Sequence, residues 1–135
     1  MRGVRLIGIA ALILTIATGC QKLNYEQSFQ LTMGEVREVE FTAPTFSQKV
    51  TAVITPGKGP VSAYLAKKEN GEAIRKVLDR VGQEPEASQV LASQKASEKA
   101  EPITLEATVP GKTPYLLFLR AGKQSTDVRV SVKGR

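Results

Sequence analysis

Histidine and tryptophan are absent from this 135-residue chain, and cysteine occurs once. Without histidine there is no general base for a Ser-His-Asp triad or a Cys-His nucleophile pair. One cysteine leaves no Cys/His set for zinc and forms no intramolecular disulfide. Aromatic residues make up 5% of the chain, so few rings are available to stack on sugars or bases. Neither sign of charge dominates: 19 Lys+Arg stand against 13 Asp+Glu, a net +6. Arg2 and Arg5 precede the first apolar run, so a chain starting at Cys20 carries 17 bases against 13 acids, a net +4. These bases are scattered among glutamates rather than gathered into a stripe with aromatics between them. That pattern reads as a solvated surface and gives no expectation of nucleic-acid binding. What remains, 41% hydrophobic and 24% charged, has the composition of one globular domain.

The one long uncharged run lies near the N-terminus. Met1 to Arg5 are basic, Leu6 to Ile16 (LIGIAALILTI) are apolar, and Ala17-Thr18-Gly19 are small residues followed by Cys20. Eleven apolar residues are too few to cross a bilayer as a helix and have the size of a signal-peptide core. The stretch Met1 to Gln21 resembles a bacterial lipoprotein precursor, in which small residues precede a lipidated cysteine. The resemblance implies residues 1–19 as signal peptide, cleavage between Gly19 and Cys20, diacylglycerol on the Cys20 sulfur and acylation of the new amino group. A thiolate is the soft nucleophile that forms such a thioether. Ala17 stands where that family prefers leucine, and the same small residues also suit an ordinary secretory peptidase, which would release an unlipidated chain. Gln21, in place of an aspartate, resembles the pattern for outer-membrane sorting. The implied location is a lipid anchor in the cell envelope, at the outer membrane facing the periplasm.

Residues 20–27 (CQKLNYEQ) read as a polar tether, and residues 28–135 as the domain. Period-two alternation, the mark of half-buried strands, begins with Phe29, Leu31 and Met33 and continues with Val39 and Phe41. It recurs through Val50, Ala52 and Ile54, then Val61, Ala63 and Leu65, then Ile103 to Val109, and ends with Val128, Val130 and Val132. Tyr115 to Leu119 is apolar on both faces and predicts a central strand. Glu72 to Val81 places Ile74, Val77, Leu78 and Val81 at helical spacing between Gly71 and Gly82. This predicts a short helix packed on one edge of a sandwich. After Pro85 the sequence predicts a mobile loop with a short strand at Val90-Leu91. Pro56-Gly57-Lys58-Gly59-Pro60 and Pro110-Gly111-Lys112-Thr113-Pro114 are two similar turns. They read as hairpin turns in which Pro sets φ and Gly takes φ > 0, or as a lysine offered twice to a ligand.

The expected fold is therefore all-β, an antiparallel and jelly-roll-like β-sandwich with one inserted helix. LTMGEVREVEF (Leu31 to Phe41), VSAYLAKKENG (Val61 to Gly71) and ITLEATVPGKTPYLLFLRAG followed by DVRVSV are similar to the bacterial pre-peptidase C-terminal domain. That resemblance implies a small jelly-roll-like, non-catalytic accessory or targeting module. The family often carries aspartates before the Tyr-Leu of its middle strand, where Val61-Ser62-Ala63 stand here, so no metal role carries over.

Glu35, Glu38 and Glu40 are the densest acid group. Carboxylates in principle hold calcium, but the simpler expectation pairs Glu38 or Glu40 with Arg129 or Lys133 across neighbouring strands. Phe46 and Tyr25 are the aromatics expected at the surface. The sequence thus predicts no catalytic residue, metal or cofactor, and Cys20 as the lipidation site. It predicts the membrane as a partner through the acyl chains on Cys20, with an envelope protein or glycan beside it. The expected function is a lipid-anchored, non-catalytic binding or assembly module. The alternative is a secreted or anchored enzyme or ligand sensor working through Lys, Tyr and carboxylate groups.

Overall fold

The computed structural model describes residues 22–135. The expected signal peptide, the cleavage point and Cys20 lie outside the described residues. In chain order the elements are β1 (Leu23–Leu31), β2 (Val36–Phe41), β3 (Gln48–Pro56), β4 (Val61–Lys67), α1 (Gly71–Leu78), β5 (Ala92–Gln94), β6 (Ile103–Val109), β7 (Tyr115–Ala121) and β8 (Thr126–Gly134). Every strand pairing is antiparallel. One sheet has the order β1-β8-β3-β6 and the other β2-β7-β4-β5. Eight strands shared between two four-stranded sheets in this order make a jelly roll.

Alternation builds the core. Phe29, Leu31, Val50, Ile54, Val130 and Val132 face inward from the first sheet and meet Val39, Leu65, Leu117 and Leu119 from the second. Phe41 sits between two other rings, stacked on Tyr115 at 5.0 Å and 13° and edge-on to Tyr25 at 5.3 Å and 85°. β4 and β7 are buried on both faces, as the double-sided apolarity of Tyr115 to Leu119 predicts. Their outward residues Tyr64, Ala66, Leu116 and Phe118 lie under Ile74 and Leu78 of α1. The helix therefore covers the outer face of the second sheet, not an edge. It lies close because Gly71 has no side chain: a Cβ there would come within 2.5 Å of Leu116 Cδ1.

Several local expectations are corrected. The helix stops at Leu78, and Val81 is 99% exposed beside Gly82, whose φ is +80°. The segment after Pro85 is pinned down: Leu91 N–H donates to Leu65 O at 2.6 Å, and β5 forms at Ala92–Gln94, just after Val90-Leu91. Met33 is exposed, because the chain turns at Thr32 to Gly34 and ends the alternation at Leu31. β1 begins at Leu23, so residues 23–27 pair with β8 instead of forming a tether.

The two Pro-Gly-Lys turns are not hairpins. Each carries the chain from the first sheet to the second, β3 to β4 and β6 to β7, and the strands pair β3 with β6 and β4 with β7. The antiparallel pairing places the turns at opposite ends of the sandwich. Neither of Gly57 and Gly111 has φ > 0; Gly111 serves close approach, since a Cβ there would lie 2.9 Å from Thr45 O, whereas one on Gly57 would meet only the movable Asp127 carboxylate. The positive φ in the second turn belongs to Lys112, at 58°.

Candidate functional site

Glu35 lies apart from Glu38 and Glu40, which stay together on one face of β2. The turn after β1 sends β2 into the second sheet, whereas β8 lies in the first, so Glu38 and Glu40 do not meet Arg129 or Lys133. Glu38 pairs with Arg75 of α1, and Glu40 with Lys68 at 2.7 Å. The Glu40 carboxylate raises the pKa of Lys68 by hydrogen bond and charge. Glu35 closes the β1–β2 turn, accepting from Thr32 N–H at 2.8 Å and from Arg37 at 2.9 Å. Partial burial pushes its carboxyl upward, but the Thr32 and Arg37 interactions outweigh that and hold it below the usual carboxylate range. Among the described residues no three His, Cys, Asp or Glu side chains come together in a way that would hold a metal ion.

A second polar group lies beneath the helix. Arg120 of β7 donates to Leu78 O at 3.2 Å, Gln83 O at 3.0 Å, Tyr64 Oη at 3.3 Å and Glu84 Oε2 at 2.6 Å. Tyr64 O–H donates to Glu84 Oε1 at 2.6 Å. Burial, then the bond to Glu84, raises the Tyr64 phenol to about 12. A cation on the last carbonyls of α1 complements the negative end of its dipole. This network fastens the helix and its C-terminal extension to the sheet.

Of the aromatics expected outside, Phe46 is exposed, whereas Tyr25 is buried against Phe41 and its phenol is raised to about 12 by burial. Lys58 and Lys112 stand at opposite ends of the sandwich and present no shared site.

The group that the sequence conceals lies at the end of the sandwich where β1 begins. A pocket of about 380 Å³ is lined by Lys22, Lys49, Lys133 and Arg135, together with Asn24 and Thr51, and by no Asp or Glu side chain among the described residues. None of these cations has an ion-pair partner among the described residues. They come from three places in the chain and are gathered by strand register. Lys133 lies opposite both Asn24 of β1 and Thr51 of β3. Arg135 and Lys49 exchange backbone hydrogen bonds at 3.0 and 3.1 Å. Scattered bases thus become a local positive cluster, and only the β1-β8-β3 order could have revealed it. The same end carries Phe46, three residues before Lys49 and 71% exposed.

No protein-family model and no curated protein matches the chain. Solved structures are similar to it in fold. The pre-peptidase C-terminal domain of a collagenase from Bacillus anthracis has a TM-score of 0.53 at 15% identity, covering 82% of this chain and 89% of that one. PliG from Aeromonas hydrophila, a periplasmic inhibitor of g-type lysozyme, has a TM-score of 0.49 at 12% identity, covering 90% and 92%. The K1 cleaved adhesin domain of Lys-gingipain from Porphyromonas gingivalis has a TM-score of 0.49 at 8% identity, covering 90% and 86%. At these identities the likeness is one of fold, and the first supports the sequence resemblance at that level.

Proposed function

We propose that this chain is a lipid-anchored protein of the bacterial cell envelope, a non-catalytic binding or assembly module held directly on its membrane. The expected site is the outer membrane facing the periplasm, with an envelope protein or glycan as partner. The observation that carries this reading is the start of β1 at Leu23, three residues after Cys20. Three residues extend to roughly 10 Å at most. A diacylglyceryl group on Cys20 would therefore keep the sandwich against the headgroups, closer than an eight-residue tether would. Two or more acyl chains, at about 0.8 kcal/mol per buried methylene, make such attachment stable. The absence of histidine and the engagement of Glu35, Glu38 and Glu40 by Arg37, Arg75 and Lys68 support a non-enzymatic role.

Crosslinking in intact membranes, with wild type and Cys20→Ala in parallel, tests this reading. Wild type should fractionate with membranes and crosslink to envelope neighbours, and the variant should lose both. Equal behaviour of the two would contradict it. One observation favours the alternative of a ligand sensor: the pocket lined by four cations. Its lining offers four cations and the Thr51 hydroxyl but no acidic side chain, the Glu106 opposite Thr51 standing outside it, so the lining suits anion binding.

A further inference from the structure

One residue of chain, Gln21, separates the cationic pocket from the proposed anchor. Lys22 lines the pocket and lies two residues after Cys20, so at most about 7 Å of backbone separates them. That is within the roughly 8–10 Å over which charge acts at physiological salt. Lys133 stands between Asn24 and Thr51 on neighbouring strands, and strands are about 4.8 Å apart. The row therefore offers an amide, an ammonium and a hydroxyl across roughly 10 Å, with Lys49 and the Arg135 guanidinium beside it. Lysine binds phosphate as a point charge and arginine in a bidentate fork. The nearest acid along this row is Glu106, opposite Thr51 but one strand further out. Phe46 adds an exposed apolar ring at the same end, of the kind that interfacial segments bury at the headgroup boundary.

We infer that this pocket binds the phosphate of an anionic phospholipid headgroup, so that the sandwich stands on the bilayer by the end carrying Lys22, Lys49, Lys133 and Arg135. The inference rests on the lipid-anchor reading for its geometry but is tested without the lipid. The chain from residue 20 with Cys20→Ser, which contains the whole sandwich, is mixed with phosphatidylcholine vesicles with or without phosphatidylglycerol. Binding is expected only where phosphatidylglycerol is present and should weaken with salt. A lysine near an anionic surface contributes about fivefold, so the double variant Lys49→Ala with Lys133→Ala should bind about 25-fold more weakly. Lys58→Ala with Lys123→Ala removes the same charge from exposed positions at the opposite end. By the same distance argument it should change binding by less than about twofold. Unchanged thermal midpoints in both doubles establish that they are folded. Equal losses in the two doubles, or equal binding to both vesicle types, would overturn the inference. Displacement from vesicles by inorganic phosphate at matched ionic strength would overturn it too, by making soluble phosphate the ligand. Because these measurements use an unlipidated chain, their failure is separable from failure of the anchor.

Discussion

The two sheets share a core but differ on their outer faces. Behind β2-β7-β4-β5 lies a third layer, where Ile74 and Leu78 seal Tyr64, Ala66, Leu116 and Phe118, with Arg120 fastening the end of the helix. Among the described residues β1-β8-β3-β6 has no such cover: Asn24, Lys133, Lys49 and Arg129 are exposed. One outer face is sealed by the helix, and the other is exposed among the described residues. The cationic pocket opens on the exposed one, at the end where β1 begins.

The largest test of this difference is Phe118→Ala. It empties the layer between sheet and helix and should cost about 3–5 kcal/mol in denaturant unfolding. Arg120→Ala should cost about 2 kcal/mol, because the carbonyls of Leu78 and Gln83 and the Glu84 carboxylate lose a charged donor.

Alkali tests both layers together. The three tyrosines, Tyr25, Tyr64 and Tyr115, all have phenols raised above the ordinary 10.0, mainly by burial. A raised folded-state value contributes stability that is complete below pH 10 and is lost as pH climbs through about 12. The phenolate absorbance should therefore rise together with unfolding rather than in a separate step near pH 10. A titration of the native protein near pH 10 would break the account of the buried rings.

Smaller effects belong to the surface. Glu35 has a lowered carboxyl, so its contribution is present above the ordinary 4.5 and disappears as pH falls below it. Glu35→Gln should lower stability at neutral pH by less than about 1 kcal/mol and flatten this acid limb. Arg129→Ala, on the open face, should stay within about 0.5 kcal/mol of wild type. A loss there as large as that from Phe118→Ala would erase the contrast between the sheets.

The parts of the fold legible in the sequence are those set by local period. The strands, the both-sided burial of Tyr115 to Leu119 and the helix around Ile74 and Leu78 all follow from spacing. Less legible was anything decided by which sheet a strand joins. Glu38 and Glu40 cannot be matched to Arg75 and Lys68 without knowing that α1 lies over β2 and β7. The twin Pro-Gly-Lys turns look like hairpins because nothing local distinguishes a turn within a sheet from an arch between sheets. β1 was readable in part: Leu23, Tyr25, Phe29 and Leu31 alternate, and the polar Gln27 and the Tyr25 hydroxyl obscure the period. The cationic pocket had no local signal, since Lys22, Lys49, Lys133 and Arg135 meet only when the first, third and last strands lie side by side.

Attachment through Cys20 is tested most directly by the mass of the N-terminal peptide of the protein taken from membranes. The predicted result is a chain beginning at Cys20 that carries a diacylglyceryl thioether and an acylated amino group. A peptide with an unmodified Cys20, or one beginning at another residue, would contradict it.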